Sequence, residues 1–259
     1  MLSEDEKNLQ EYLEGFITPE RKQRMSTVLE QRTRYITCVL EDLFDPRNGS
    51  AVIRHCDALG IHELHAIENK HHFKSDNQVD LGTAQWLDMR IYHRPEGRPD
   101  SVKARRRAAQ AAKAGGAALS PPPNSRTTEV LSELKSRGYR IVATSPHAAD
   151  DVLPETLDLA AGPVAVVFGT EKHGISDEVR MAADVFLSIP MFGFVESFNL
   201  SASAAIVFHV LSGRLRAEGL PWQLDAEDAE RVMYEWTRHT APHAEKLIER
   251  YEAEKHFET

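Results

Sequence analysis

Only two cysteines, Cys38 and Cys56, occur in 259 residues. They make neither a disulfide framework nor a metal-ligand spacing, so a reduced, cytoplasmic setting is expected. No uninterrupted apolar run reaches the roughly 18 residues that a membrane-spanning helix requires. The opening stretch MLSEDEKNLQEYLEGF is acidic and lacks a basic segment followed by an apolar one, so it is not expected to act as a signal peptide. Twelve histidines are present, but none stands in an H-E-x-x-H or comparable spacing, and no metal is expected. His62 and His65 of HELH would face opposite sides of a strand, while His71, His72 and His173 read as surface or loop residues. A G-x-S-x-G turn is also missing, which argues against a serine hydrolase.

The chain is otherwise ordinary in composition, 41% hydrophobic and 27% charged, as expected of a globular protein large enough for one α/β domain with appendages. Its formal net charge of -9 argues against a generic nucleic-acid binder. The distribution says more than the sum. Residues 94–140 hold eleven Lys/Arg against four acids, and residues 223–259 hold ten acids against five bases. The middle is basic and the C-terminal end acidic.

Residues 1–33 read as a helical extension, with Leu9, Tyr12, Leu13 and Phe16 at helical spacing and Thr18-Pro19 starting a second helix. From Tyr35 the pattern changes to strands alternating with helices: YITCVLEDL as a strand, DPRNGS as a break, SAVIRHCDALG as a helix closed by Gly60. IHELHAI and WLDMRIYH follow as strands, then TTEVLSELKSRG as a helix, YRIVATS and GPVAVVFG as strands, SDEVRMA as a helix and VFLSIP as a strand. NLSASAAIVFHVLSGRLR closes this region as a long apolar helix. The alternation predicts an α/β fold with a mostly parallel sheet and helices on both faces, spanning 34–217. Residues 94–125, rich in Ala, Arg, Gly and Pro, are expected to be a flexible basic insertion. Residues 218–259 read as one or two amphipathic helices with Trp222, Leu224, Val232, Met233, Trp236, Leu247, Ile248 and Tyr251 as the apolar stripe.

Three segments fall where strands end and helices begin, the place where ligands bind in open α/β sheets. In the first, DPRNGSAVIRHCDALG, Arg54 follows Asn48 by six residues in an otherwise apolar helix, and must find water, a carboxylate or another anion. The second, VVFGTEKHGIS, has a glycine that allows close backbone approach and an acid, Glu171, just beyond it. It fits neither the phosphate-loop nor the dinucleotide-binding pattern. The third, IPMFGFVESFNLSAS, offers Glu196, Ser197, Asn199 and Ser201 before a helix that needs only one cap. The surplus points to a site, with Ser197 and Asn199 serving both as caps and as site residues. Glu196 reads as a surface acid.

Taken in order, these segments resemble the SPOUT superfamily, and within it the TrmH branch of RNA ribose 2′-O-methyltransferases. The first family motif stands here as Asn48, Ala51 and Arg54. The second stands as Phe168, Gly169, Glu171, Lys172 and Gly174. The third stands as Ile189, Pro190, Met191, Gly193, Val195, Ser197, Asn199 and Ser201. The details around DPRN and RIVATS are most similar to the tRNA enzymes that modify guanosine 18 of the D-loop. The resemblance implies a C-terminal trefoil knot, a homodimer with each site near the subunit interface, tRNA as substrate and S-adenosylmethionine as cofactor. It implies catalytic roles for Arg54, Asn48, Glu171, Ser197 and Asn199, and cofactor contacts from Thr144, Gly169, Glu171, Ile189, Phe198 and Leu200. Arg54 would act as an unusual base or bind phosphate and stabilise the developing alkoxide. Arg54 and the insertion's Arg105, Arg106 and Arg107 are candidate RNA contacts. Ribosomal RNA as substrate, or a catalytically silent RNA-binding protein that keeps the knot, are the competing readings. The presence of Asn48, Arg54, Glu171, Ser197 and Asn199 argues against silence.

Overall fold

The computed structural model describes residues 1–69, 71–73, 82–93, 126–145, 151–170 and 173–257. Two helices lead, α1 (Glu4–Glu14) and α2 (Pro19–Leu29). An alternating region follows: β1 (Ile36–Glu41), α3 (Pro46–Leu59), β2 (Glu63–Ile67), a 3-10 turn (Thr83–Trp86), β3 (Asp88–Tyr92), α4 (Arg126–Ser136), β4 (Arg140–Thr144), β5 (Asp151–Val152) and β6 (Val164–Phe168). It ends with α5 (Asp177–Ala182), β7 (Val185–Leu187) and α6 (Leu200–Ala217), before α7 (Ala226–Thr240) and α8 (Ala244–Phe257). The described strands form one seven-stranded sheet in the order β3-β2-β1-β6-β4-β7-β5. Every described pairing is parallel.

A parallel sheet covered on both faces needs apolar side chains in both directions, which is why its strands read as continuous apolar runs. Cys38, Leu40, Val142, Val164, Val166 and Phe168 pack on one face with Val52, Ile53 and Cys56 of α3 and Val207, Phe208 and Leu211 of α6. Val39, Ile141, Ala143, Ala165 and Val167 pack on the other with Val130, Leu131 and Leu134 of α4 and Val179 of α5. The two-residue alternation along each strand sorts side chains between these layers. The α/β architecture expected from the sequence is therefore the one found. The short strand β5 was not anticipated, since two residues carry no periodicity.

DPRNGS, expected to break the chain, is instead the start of α3. Asp45 caps it, accepting from the Arg47 N–H at 2.9 Å, and Pro46 takes the first helical position. The earlier start places Asn48 inside the helix, buried. At its other end Gly60 adopts φ +80, and a Cβ there would lie 2.3 Å from the Gln31 carbonyl oxygen, so the helix stop requires glycine.

The flanking helices pack on one another. Leu13 and Ile17, at and just beyond the end of α1, meet Ala241, Leu247 and Ile248 of the C-terminal part. Met25 of α2 meets Val232 and Trp236 of α7. Arg32, fully buried, stacks over Trp236 at 5.3 Å and pairs with Asp57 of α3, joining these helices to the sheet layer. At the edge where the strands begin, buried Glu63 accepts two 2.7 Å bonds from Arg137 and lies 3.2 Å from Arg34 and from His65. Burial alone would raise its pKa. The bonds from His65 and Arg137 and the Arg34 charge outweigh it, holding the carboxyl well below the usual range.

The insertion residues 94–125 lie outside the described residues, Arg105, Arg106 and Arg107 with them. Its flanks meet: Arg126 Nε donates to the His93 carbonyl oxygen at 2.9 Å.

Candidate active site

The carboxyl ends of β4, β6 and β7 and the start of α6 enclose a cavity of about 580 Å³, a size ordinary for a small-molecule site. Its buried lining is mostly apolar, with Phe168, Leu187, Leu200 and Val207 beside the hydroxyl-bearing Ser145. Its more open lining is mixed, with polar Thr144, Ser188, Ser197 and Asn199 beside apolar Ile189, Met191 and Phe198. The cavity thus gathers Thr144, Gly169, Ile189, Ser197, Phe198, Asn199 and Leu200, seven of the residues singled out from sequence.

Each is positioned by a local cause. Thr144 ends β4, and its hydroxyl donates to the Val167 carbonyl at 2.9 Å. Gly169 follows β6 where the chain doubles back: the Thr170 and Gly174 N–H and C=O groups exchange two 2.9 Å bonds. A Cβ on Gly169 would lie 2.2 Å from the Gly174 backbone. The close approach that glycine allows here is to its own loop rather than to a ligand. Glu171 and Lys172 lie outside the described residues.

The loop is anchored from below by a group that sequence reasoning passed over. Glu41, buried at the end of β1, accepts from Ser176 N at 3.0 Å, Ser176 Oγ at 2.7 Å and Thr127 Oγ1 at 2.7 Å. Ser176 is in turn the cap of α5. Burial pushes the Glu41 carboxyl up from its ordinary value, and the three donors offset part of that rise. Next to it Asp42 takes a left-handed backbone, φ 55, and accepts from the Asn69 and His71 N–H groups. An acid in an apolar strand reads as a strand end, so no pattern marked Glu41.

Asn199 is the cap of α6. Its Oδ1 accepts from Ser201 N at 2.9 Å, Ser201 Oγ at 2.6 Å and Ala202 N at 3.4 Å. Its Nδ2 donates to Asn48 Oδ1 at 3.1 Å. The first and third segments are joined by this bond, through helices that pack along each other's length. Arg54 is not drawn in with them: it sits on an exposed position of α3 and does not line the cavity. Ser197 does not cap the helix and is exposed on the cavity wall. Glu196 is exposed too, yet it lines the cavity, as do His173 and Arg180. Phe192, Phe194 and Val195 stand out from the same loop at 99%, 109% and 63% exposure, an apolar patch beside the site that a lone subunit leaves in water.

Among the described residues no group of His, Cys, Asp and Glu is arranged to hold a metal ion, and no helix is long and apolar enough to cross a membrane.

Residues 97–209 match the SpoU rRNA Methylase family. Among curated relatives, the tRNA (guanosine(18)-2′-O)-methyltransferase of Borreliella burgdorferi is 34% identical over 230 residues, 87% of this chain and 88% of that one. The tRNA (guanosine(18)-2′-O)-methyltransferase of Thermus thermophilus is 32% identical over 225 residues, 85% of this chain and 97% of that one. Among solved structures, the A. aeolicus TrmH/SpoU tRNA modifying enzyme superposes with a TM-score of 0.66 at 22% identity, covering 85% of this chain and 96% of that one. That likeness concerns the fold.

Proposed function

The chain belongs to the SpoU/TrmH family of methyltransferases, and on that premise we propose that it methylates the ribose 2′-hydroxyl of guanosine 18 in tRNA, with S-adenosylmethionine as donor. The observation that carries this reading is the full-length agreement with two relatives named for that reaction, 88% and 97% of whose lengths are matched. The family description names ribosomal RNA, which keeps an rRNA substrate as the second reading.

The residues present fit the cofactor. An apolar lining for a purine ring lies beside the ends of three parallel strands, whose backbone groups can serve its polar edge. Thr144, Gly169, Ile189, Phe198 and Leu200 would hold it, and the family motif adds Glu171 as a candidate. Bound there, S-adenosylmethionine supplies a methyl group on a sulfonium, open to in-line attack. The 2′-hydroxyl is a poor nucleophile, so the chain must fix its approach and compensate the charge it develops. We assign this to Arg54. A guanidinium deprotonates only above about pH 12, so stabilising the alkoxide while gripping a neighbouring phosphate suits it better than taking the proton. Asn48 and Asn199 keep α3 and α6 in register for that encounter, and Ser197 faces the substrate side. A second copy seated over Phe192, Phe194 and Val195 would bury them and wall the site, which supports a homodimer. The path of 188–199, from β7 across the ends of β4 and β6 to a helix packed on α3, supports a knotted C-terminal part. We read 34–217 as the methyltransferase domain, with 1–33 and 218–259 as helical extensions.

The test uses purified protein, isotopically labelled S-adenosylmethionine and tRNA transcripts, with nucleosides resolved by mass spectrometry. Labelled 2′-O-methylguanosine should appear at position 18 and vanish when that position carries 2′-deoxyguanosine. Label in rRNA fragments but not in tRNA would support the second reading, and no label in any RNA would support a silent protein.

A further inference from the structure

One charged group at the cavity is left over by the motifs. Arg180 stands on α5, directly after Val179, whose buried side chain anchors that short helix in the core. It lines the cavity together with His173, Gly174 and the Ser197–Asn199 segment. Its side chain is exposed, and among the described residues it makes no ion pair and no side-chain hydrogen bond. The neighbouring acids of its own helix, Asp177 and Glu178, do not pair with it. Three other arginines of the domain are matched by acids. Arg137 is matched by Glu63 at 2.7 Å, Arg126 by Glu129 at 2.6 Å, and Arg214 by Glu218 at 2.7 Å. The acid that shares the cavity, Glu196, is engaged in an interaction of its own.

A guanidinium carries five N–H donors in a rigid fork matched to carboxylate or phosphate oxygens, and it stays charged at any working pH. Leaving one uncompensated on the wall of a small-molecule cavity reserves it for an oxyanion that arrives with a ligand. We propose that Arg180 is a binding residue of this site and grips an oxyanion of what binds there. Two sources share that chemistry. One is the amino-acid carboxylate of the methyl donor, and the other is a phosphate of the RNA strand lying across the cavity mouth. The proposal rests on the methyltransferase reading above.

The experiment compares wild type, Arg180→Ala and Arg180→Lys by calorimetric titration. The probes are S-adenosylhomocysteine and 5′-methylthioadenosine, which shares its nucleoside and sulfur but has no carboxylate, and a tRNA transcript is titrated separately. Loss of one charge-assisted contact at a partly open position should weaken the affected ligand about tenfold, with Lys restoring part of the loss. Weaker S-adenosylhomocysteine binding by Arg180→Ala, with 5′-methylthioadenosine unchanged, supports the carboxylate. Weaker tRNA binding, with both small ligands unchanged, supports the phosphate. Three unchanged affinities overturn the proposal. So does an equal loss for both small ligands, which would mean that the cavity itself had deformed. A thermal midpoint shared by the three proteins excludes misfolding. A wild type that binds none of the probes would instead overturn the methyltransferase reading.

Discussion

Replacing Asn199 by alanine removes two separable interactions, and the structure sets the size of each. The first is the cap of α6, where Oδ1 serves Ser201 N and Ala202 N. Losing an Asn cap costs about 1 kcal/mol, within a range of roughly 0.5–2. The second is the 3.1 Å bond to Asn48. Asn48 is only 7% exposed, so little water can replace this bond when it is lost, at roughly 1–3 kcal/mol. Together Asn199→Ala should destabilise the protein by about 2–4 kcal/mol, a fall in thermal midpoint of roughly 5–15 °C. Asn199→Ser separates the two. A serine hydroxyl can cap the helix but cannot reach Asn48, so it should spare about 1 kcal/mol of the loss. Differential scanning calorimetry on both variants, and on Asn48→Ala with and without Asn199→Ala, measures the terms. Equal midpoints for Asn199→Ser and Asn199→Ala would show that the cap contributes nothing. Strictly additive Asn48 and Asn199 effects would show that the bond between the two asparagines contributes nothing.

Arg54→Ala should abolish methyl transfer while S-adenosylhomocysteine still binds with wild-type affinity; single-turnover methylation at the normal rate would remove Arg54 from the chemistry. Gly169→Ala drives a methyl into the Gly174 backbone and should cost about 1–3 kcal/mol together with binding to the cavity, and a variant with wild-type cofactor affinity would show that the loop tolerates displacement. Glu41 has a raised pKa, so its contribution to stability is fully present below the ordinary value of 4.5 and falls as pH rises through the folded-state value. The stability of Glu41→Gln relative to wild type should accordingly climb from about pH 4.5 upward, and a flat difference between pH 4 and pH 7 in urea melts would contradict the burial argument. Deleting 94–125 should weaken tRNA binding and reduce its salt dependence if the insertion's arginines reach phosphates; unchanged binding would make it an idle loop.

The parallel sheet was readable because burial on both faces turns its strands into apolar runs, and YITCVLEDL and GPVAVVFG announce β1 and β6. The Asn199 cap was readable because a polar cluster before an apolar helix has one common use. The start of α3 was misread, since Pro46 suits a first helical turn as well as a chain break and only Asp45 distinguishes them. Glu41, Arg180 and the cavity position of Glu196 were not visible. Each depends on which loop lies against which strand end, and residues far apart in the chain, such as Glu41 and Ser176, leave no local pattern. The tie between Asn48 and Asn199 was equally hidden, although both residues had been singled out separately.

The pairing of the outer helices has a consequence for synthesis. Leu13 and Met25, near the start of the chain, find their apolar partners in α7 and the residues after it. Roughly 200 residues separate the end of α2 from the start of α7, and at roughly 5–20 residues per second the ribosome needs on the order of 10–40 s to make them. The described strands of the sheet are all made before then, whereas α1 and α2 are among the last elements to be packed. A nascent chain stalled anywhere before Ala226 would hold out Leu13, Ile17 and Met25 as a handle for chaperones or proteases.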